Sequence, residues 1–429
     1  MLRQYWQPAA LTEELRGPRP VVPVTLLGER LVLFVDDDGR LGLLGRHCPH
    51  RGVDLAFGRL EDGGLRCPFH GWLLAADGAC LETPAEQPTS TFHTRIRHLS
   101  YPVREANGIV WAYLGDGEPP PLPALDCFTA PESHVFAFKG LWDSNWLQAH
   151  EVGIDPAHAA FLHRFLEDDS EEYGLQFRDQ VGDTGMTMTR LMREASAPSI
   201  VAQPTSFGFR LRTTRALPGA ITHVRTSNCI FPNAIAVSMT REMAITQWHV
   251  PIDDRSCYWY SMFVSFGRPV DRDVMRAQRI AQVELPGYRP ITSRDDAWGF
   301  DPEDQRRATY TGMGADINVH DQWAVESPGA IYDRSAEHLA PTDVGIRTHR
   351  RQFLAAATER SGERLIGRTE VGEEPLRVGP IAVDAVTAVD VGSGETAGAD
   401  IEVVLDDTWR GQDAERRAAC SWPADVVEE

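Results

Sequence analysis

The chain contains no uninterrupted apolar stretch approaching the ~18 residues that a membrane span requires. Its best candidate, Val21 to Val35, is broken by Gly28-Glu29-Arg30. The N-terminus, MLRQYWQPAALTEEL, has no basic region followed by an apolar core and so does not read as a signal peptide. A cytoplasmic location is the expectation. Cysteine is sparse and odd in number, seven in 429 residues, and scattered apart from Cys48 and Cys67. That argues against a secreted disulfide framework and leaves the thiols as ligands or core. Cations are outnumbered, 42 Lys and Arg against 62 Asp and Glu, for a formal charge of -20. Nucleic acid is therefore disfavoured as a partner, because neutralising phosphates needs clustered cations. No internal repeat is visible. The one glycine cluster with a nucleotide-binding look, GSGETAG at 392–398, has the wrong spacing and no βαβ context, and reads as loop.

What is present is a soluble globular composition, 42% hydrophobic and 24% charged, in a chain long enough for two or three cores. After an N-terminal segment, 1–20, residues 21–116 alternate in short strands punctuated by Gly, Asp and Pro, the pattern of a small antiparallel β domain. The proline-rich 117–125 reads as a linker. From 126 to 380, longer alternating strands (Met186 to Phe266) precede helical periodicity in RDVMRAQRIAQVEL, HDQWAVES and RTHRRQFLAAATER. Strands first and helices after predict an α+β domain with helices on an antiparallel sheet. From Ile381 to Glu429 there are 12 acidic residues against 3 arginines. This stretch, 381–429, reads as a solvated, partly mobile acidic extension.

Two constellations carry chemistry. Cys48-Pro49-His50 and Cys67-Pro68-Phe69-His70 form C-x-H and C-x2-H, 16 residues apart. Two thiolates and two imidazoles can hold a [2Fe-2S] cluster, histidines on one iron and cysteines on the other. The same residue types can hold zinc, but zinc fingers group Cys with Cys and His with His, whereas here each loop offers one of each. The second constellation is NWLQAHEVGIDPAHAAFLH, Asn145 to His163, in which Asp155, His158 and His163 stand at D-x2-H-x4-H. At about 100° per helical residue, five residues end roughly 140° off the starting face. His158 and His163 can therefore reach one metal only if the helix is broken between or beside them. Asp155 and Pro156 also suit an N-cap and a first helical position. A helix start with incidental histidines fits this stretch taken alone as well as a metal site does.

HCPHRGVDL followed by LRCPFHGWLLAADG resembles the Rieske domain of aromatic ring-hydroxylating oxygenases, in the branch that includes the phthalate dioxygenases. It is unlike the respiratory Rieske protein, which has a further disulfide-forming cysteine in each loop. Arg51 and Phe69 lie in that neighbourhood here. The segment from Asn145 to His163 resembles the iron-binding segment of the same family. The resemblance implies an N-terminal all-β Rieske domain, with Cys48, His50, Cys67 and His70 holding the cluster. It implies next a catalytic domain of antiparallel sheet covered by helices, a START-like helix-grip. In that domain His158, His163 and, from NVHDQWAVESPGAIYDRSAEHL, Asp321 would hold a mononuclear Fe(II), with Asp316 as a neighbouring competitor for the carboxylate. A 2-His-1-carboxylate triad leaves positions open for O2. Asp155 would bridge a cluster histidine of one subunit to an iron histidine of the next. Glu151 sits where some relatives carry Asn, and its role stays open.

Because nothing in the chain takes electrons from NAD(P)H, the resemblance implies a separate reductase with a flavin and an iron-sulfur centre. It also implies a head-to-tail homotrimer, or a hexamer, acting on a small aromatic substrate with no membrane or nucleic-acid partner. The substrate pocket is expected on the central sheet, and a carboxylated ring would need a buried arginine. Arg215, Arg225 and Arg241 are the candidates, although each reads first as a surface strand residue. Hydroxylation or dihydroxylation is the leading reaction, with O-demethylation or aryl ether cleavage as the alternative.

Overall fold

The computed structural model describes residues 1–167, 186–358, 366–367, 381–389 and 401–422. The chain divides into two compact units, the first built on Met1–Leu122 and the second on Pro123–His249 and most of the chain beyond Arg255.

In the first unit, β1 (Trp6–Leu11), β10 (Val103–Ala106) and β11 (Ile109–Tyr113) form one sheet, in the order β1-β11-β10. A second sheet runs β2 (Val21–Leu26), β3 (Glu29–Val35), β4 (Leu41–Gly45) and β9 (Ser100–Tyr101). The third runs β5 (Arg59–Glu61), β6 (Gly64–Arg66), β7 (Leu73–Leu74) and β8 (Cys80–Glu82). Three hairpins close on two-residue turns, Leu27-Gly28, Asp62-Gly63 and Asn107-Gly108, with positive φ at both positions of each. Such turns match the right-handed twist of the flanking strands. Val32, Phe34, Leu44, Leu65, Trp72 and Leu74 meet between the sheets as one core. The N-terminal segment is more structured than its sequence suggests, because β1 pairs with β11 and is buried along its whole length. Pro8 hides the strand in the sequence, and the structure absorbs it at a register shift between Pro8 and Ala10.

The second unit is organised on β12 (Val135–Trp142), β13 (Ser199–Thr205), β14 (Gly208–Leu217), β15 (Ile221–Ile230), β16 (Ala234–Ser238), β17 (Met243–Pro251) and β18 (Cys257–Ser265). They form an antiparallel sheet in the order β12-β18-β17-β16-β15-β14-β13. A hairpin of β19 (Val283–Glu284) and β20 (Arg289–Pro290) stands apart, and β21 (Val383–Thr387) pairs with β15. The helices are α1 (Asp126–Thr129), α2 (Trp146–Gly153), α3 (Met188–Glu194), α4 (Arg272–Ile280), α5 (Pro302–Arg307), α6 (Ile317–Glu326), α7 (Val344–Thr358) and α8 (Ile401–Ala418). This is the α+β arrangement expected.

The acidic tail departs from expectation. Its described parts are not a solvated extension: β21 joins the main sheet, and α8 buries Leu405 and Trp409 against Val224 and Val383. The charge has a local cause. Arg210 and Arg212 share one face of β14 by the two-residue period of a strand. Arg212 is ion-paired with Glu402 and Asp406 of α8, and the Arg210 guanidinium lies 4.5 Å from the centre of the Trp409 ring. The glycine cluster at 392–398 lies outside the described residues.

Trp409→Ala is expected to lower stability by about 3–5 kcal/mol, the usual cost of deleting a fully buried aromatic. Thermal unfolding measures it. A melting temperature unchanged by the substitution would mean that α8 is not part of this core.

Candidate metal centres

The two cysteine-histidine loops are built alike. Gly52 N–H donates to the Cys48 carbonyl at 2.9 Å and Gly71 N–H to the Cys67 carbonyl at 3.0 Å. Both glycines have φ +76°, where a side chain is disfavoured, and a Cβ on Gly71 would meet Pro84 at 2.7 Å. Each cysteine also closes its loop at 2.8 Å, Cys48 N–H on the Val53 carbonyl and Cys67 N–H on that of Trp72. The thiols are buried while His50 is exposed, and the two imidazoles lie side by side with ring centres 4.5 Å apart. Trp72 stacks on His50 at 4.6 Å, and His70 Nδ1 is buried without a hydrogen-bond partner. Burial pushes the Cys48 thiol up to about 11, with the neighbouring Cys67 adding to the rise, while the His50 and Arg51 amides act in the opposite sense by favouring the thiolate.

Among the described residues, two groups bring three donor atoms within 4.8 Å of one another, and neither includes these loop residues. Four donors spread wider than one ion can gather, with thiols inside and imidazoles at the edge, fit a two-iron cluster better than a single zinc.

One of the two compact groups is His158, His163 and Asp321. Asn145 caps α2 by accepting the Leu147 amide at 3.0 Å, and the helix ends at Gly153. Asp155 then accepts the Ala157 amide at 3.0 Å, and a single 3-10 turn spans His158–Ala160. His163 lies beyond it, in a turn. The required break is thus observed, and it brings His158 Nε2 within 3.1 Å of His163 Nε2. Asp321 Oδ1, from α6, lies 3.2 Å from His163 Nε2 and 3.9 Å from His158 Nε2. The competitor is occupied: Asp316 caps α6 at the Asn318 amide and pairs with Arg279. Burial pushes the Asp321 carboxyl up, but His163, His158 and His320 outweigh it and leave the net shift downward. Burial, then His163, lowers His158. The set is therefore a carboxylate held in its ionised form beside two imidazole nitrogens, the donor chemistry of a divalent iron site. Glu151 makes ion pairs with Arg350, at 2.6 Å, and with Arg334.

His320 was not singled out from the sequence. It is fully buried, donates through Nε2 to the Gly314 carbonyl at 2.8 Å, and turns Nδ1 toward His163 Nδ1 at 3.5 Å. That leaves the proton on His163 Nδ1 and the lone pair on Nε2, facing His158 and Asp321. Its adjacency to Asp321 was the available signal, but a helix places neighbours on different faces, so adjacency alone says little.

Two cavities meet at this turn. One, of about 250 Å³, is lined by His158, His163 and Asp321 together with Phe138, Ile235, Val237 and Phe263. Arg225 and Arg279 also reach its wall. Asp155 and His158 additionally line a second cleft, with Phe161, Trp298, Phe300 and Tyr310. The expectation that Arg215 and Arg225 are surface residues fails. Arg215 is 1% exposed, with Nε and Nη1 unpartnered and Nη2 donating to the Pro156 carbonyl at 3.2 Å. Arg225 Nε lies 3.4 Å from Asp384, which also accepts from His223 at 2.9 Å. Burial, then Arg225, lowers Arg215 to about 10, so it stays charged at neutral pH. Arg241 is half exposed, 3.8 Å from Glu415.

Comparison with known proteins agrees with this architecture. Residues 5–93 match the Rieske [2Fe-2S] domain, and residues 112–388 match a LigXa C-terminal domain like family. The phthalate 4,5-dioxygenase oxygenase subunit of Pseudomonas putida is 32% identical over 411 residues, 91% of this chain and 89% of that protein. The 3-chlorobenzoate-3,4-dioxygenase oxygenase subunit of Comamonas testosteroni is 30% identical over 83% of this chain and 84% of its own. The 5,5'-dehydrodivanillate O-demethylase oxygenase subunit of Sphingobium sp. is 32% identical, covering 82% and 75%. In fold, dicamba monooxygenase bound to 3,6 dichlorosalicylic acid superposes with a TM-score of 0.56 at 17% identity, over 84% of this chain and 99% of that one. The chain belongs to the Rieske oxygenases, as an oxygenase subunit: an oxidoreductase of a family that uses a [2Fe-2S] cluster, a mononuclear iron and O2. No described helix is long and apolar enough to cross a membrane.

His158→Ala is expected to lose one of about three irons per chain while keeping the cluster absorbance, and Cys67→Ser to lose the absorbance while keeping one iron. Iron analysis with visible spectroscopy reads both. Undiminished iron in His158→Ala would remove that residue from the ligand set.

Proposed function

We propose that this subunit oxidises a small aromatic carboxylate, with Cys48, His50, Cys67 and His70 holding the cluster and His158, His163 and Asp321 holding the iron. The observation that carries the reading is the convergence of those three donors on the wall of an apolar cavity with cationic groups beside it. Iron bound there supplies the centre at which O2 is reduced, with coordination positions to spare. The chain's own residues do the rest. Phe138, Ile235, Val237 and Phe263 exclude water and accept a ring. Asp384 pairs with Arg225, Arg215 is buried behind the wall at Pro156 with Nε and Nη1 unpartnered, and burial lowers His223, so one buried positive charge is left uncompensated behind the cavity wall. An anionic substituent on the ring would complete that balance. The printed names of relatives acting on phthalate, 3-chlorobenzoate and phenoxybenzoate support a carboxylate. O-demethylation is the second reading, favoured by the dehydrodivanillate relative. The domain limits adopted are 21–116 for the Rieske domain and 126–380 for the catalytic domain. A flavin and iron-sulfur reductase supplies electrons from NAD(P)H. Seven free cysteines suit a reducing cytoplasm.

A screen of benzoates, phthalates and aryl ethers with such a reductase separates the outcomes by mass: a gain of about 34 for a cis-diol, about 16 for hydroxylation, or a loss of about 14 for demethylation. Arg225→Gln should raise KM for a carboxylated ring by roughly 10–100-fold with a smaller change in kcat. Equal KM values for the two proteins would sink the anionic substrate.

Asp155 is assigned the path for electrons between subunits. It lines the second cleft with exposed Phe161, Phe300 and Tyr310, and the cluster loops expose His50 and Phe69. Joining those two unlike surfaces between copies is a heterologous contact, which must close into a ring, and a trimer or its doubled hexamer does so. Co-expressing Cys67→Ser with His163→Ala should restore activity that neither parent has, because a good cluster then faces a good iron. Asp155→Asn should keep both metal centres and slow cluster reoxidation. A fully active monomer by sedimentation would overturn the ring.

A further inference from the structure

The other compact donor group uses none of these residues. His150 of α2, Cys229 of β15 and His349 of α7 bring one donor atom each within 4.8 Å of one another, and all three are 0% exposed. His150 Nε2 lies 3.5 Å from Cys229 Sγ, and the His150 and His349 rings are 4.4 Å apart. His349 donates through Nε2 to the Pro232 carbonyl at 2.8 Å, which fixes its proton there and leaves Nδ1 as a lone-pair donor. That Nδ1 is buried with no partner, and so is Nδ1 of His150. A thiol hydrogen shared between Cys229 and His150 Nε2 would leave Nδ1 of both His150 and His349 with nothing. One ion serves all three.

We propose that His150, Cys229 and His349 form a buried site for a soft, three-coordinate d10 metal ion, with Cu(I) as the fitting ion. Thiolate and imidazole suit Cu(I) and Zn(II). The charge and coordination number separate them. Glu151, the adjacent carboxylate, is already ion-paired with Arg350. A thiolate with a monovalent ion is neutral overall, whereas Zn(II) would leave a positive charge in the core and seek a fourth donor. His249, the next imidazole, is 5.5 Å from His150 between ring centres and is not in the compact set. Being fully buried, the site offers no position for substrate. It ties α2 to β15 and α7, and α2 leads directly into the turn that carries His158. The carbonyl behind His349 is the supporting hydrogen bond that metal-bound histidines ordinarily have.

The test is metal analysis of the full chain, expressed with copper or with zinc supplementation and isolated anaerobically. The wild type should carry about one non-iron ion per chain beside its irons. Cys229→Ala and His349→Phe should lose that ion with the iron count unchanged, and X-ray absorption at the bound metal should show one sulfur and two nitrogen neighbours. His150→Leu replaces a buried imidazole by an apolar side chain and is the independent check; its loss of the ion would support the site even if the other two are unstable. Zinc at that position, lost in the same variants, supports the site and changes its ion. Wild-type protein with iron alone under both supplements, or a His150→Leu protein that retains the extra ion, overturns it.

Discussion

Everything at the His158, His163 and Asp321 group depends on stopping one helix at the right residue. Side chains five apart cannot face one point from an undistorted α-helix, so α2 must end before His158 for the two imidazoles to converge. Several residues enforce the stop. Pro156 has no N–H to continue the ladder, Asp155 captures the Ala157 amide at 3.0 Å, and Arg215 rises from β14 to hold the Pro156 carbonyl. The N-cap expected of Asp155 is not formed, since Ala157 holds that position before the 3-10 turn; Asp155 instead accepts the Ala157 amide in a local turn, within the break that the histidines require.

β14 explains why the acidic tail and the cavity belong to one design. Its two faces carry opposite duties: Arg210 and Arg212 point to α8, where Trp409, Glu402 and Asp406 cover them, while Arg215 points the other way, to the Pro156 carbonyl. On β15 the same alternation sends Val224 into the α8 core and Arg225 to the cavity wall. β21 then adds Asp384 opposite Arg225 in register. A C-terminal segment that looks like a solvated appendage thus provides both the cover of one face and the carboxylate on the other.

The legible part of the sequence was the part whose chemistry is local. Each cluster loop lies within a few residues, so C-x-H and C-x2-H could be read directly, and the short strands announced themselves by alternation and by the Gly, Asp and Pro between them. Asp321 needed the family resemblance, because nothing in HDQW distinguishes a ligand from a surface carboxylate, and only the fold shows Asp316 spent on Asn318 and Arg279. Arg215 was misread for a physical reason. Alternation assumes one wet face, and nine of the ten residues of β14 are buried, so its arginines are covered on both sides. The tail was misread because composition reports charge without its partners, and the partners of Glu402 and Asp406 lie about 190 positions earlier.

The turn from Asp155 to His158 is a shared wall, with the apolar cavity on one side and the aromatic cleft on the other. A residue in such a wall cannot be tuned for one side alone. A longer acid at 155 would have to move the Ala157 amide it caps, and with it His158; an apolar residue would release the turn and remove the charge facing the cleft. On the proposed reading, where a neighbouring cluster histidine enters the cleft and substrate enters the cavity, both events load the same short piece of backbone, and Arg215 braces it from below at Pro156. Electron delivery and substrate occupancy would then be coupled by packing over a few residues, with no need for a long pathway through the domain. On that reading Arg215, which holds the Pro156 carbonyl from behind the cavity wall, is the point where the turn and the buried charge meet.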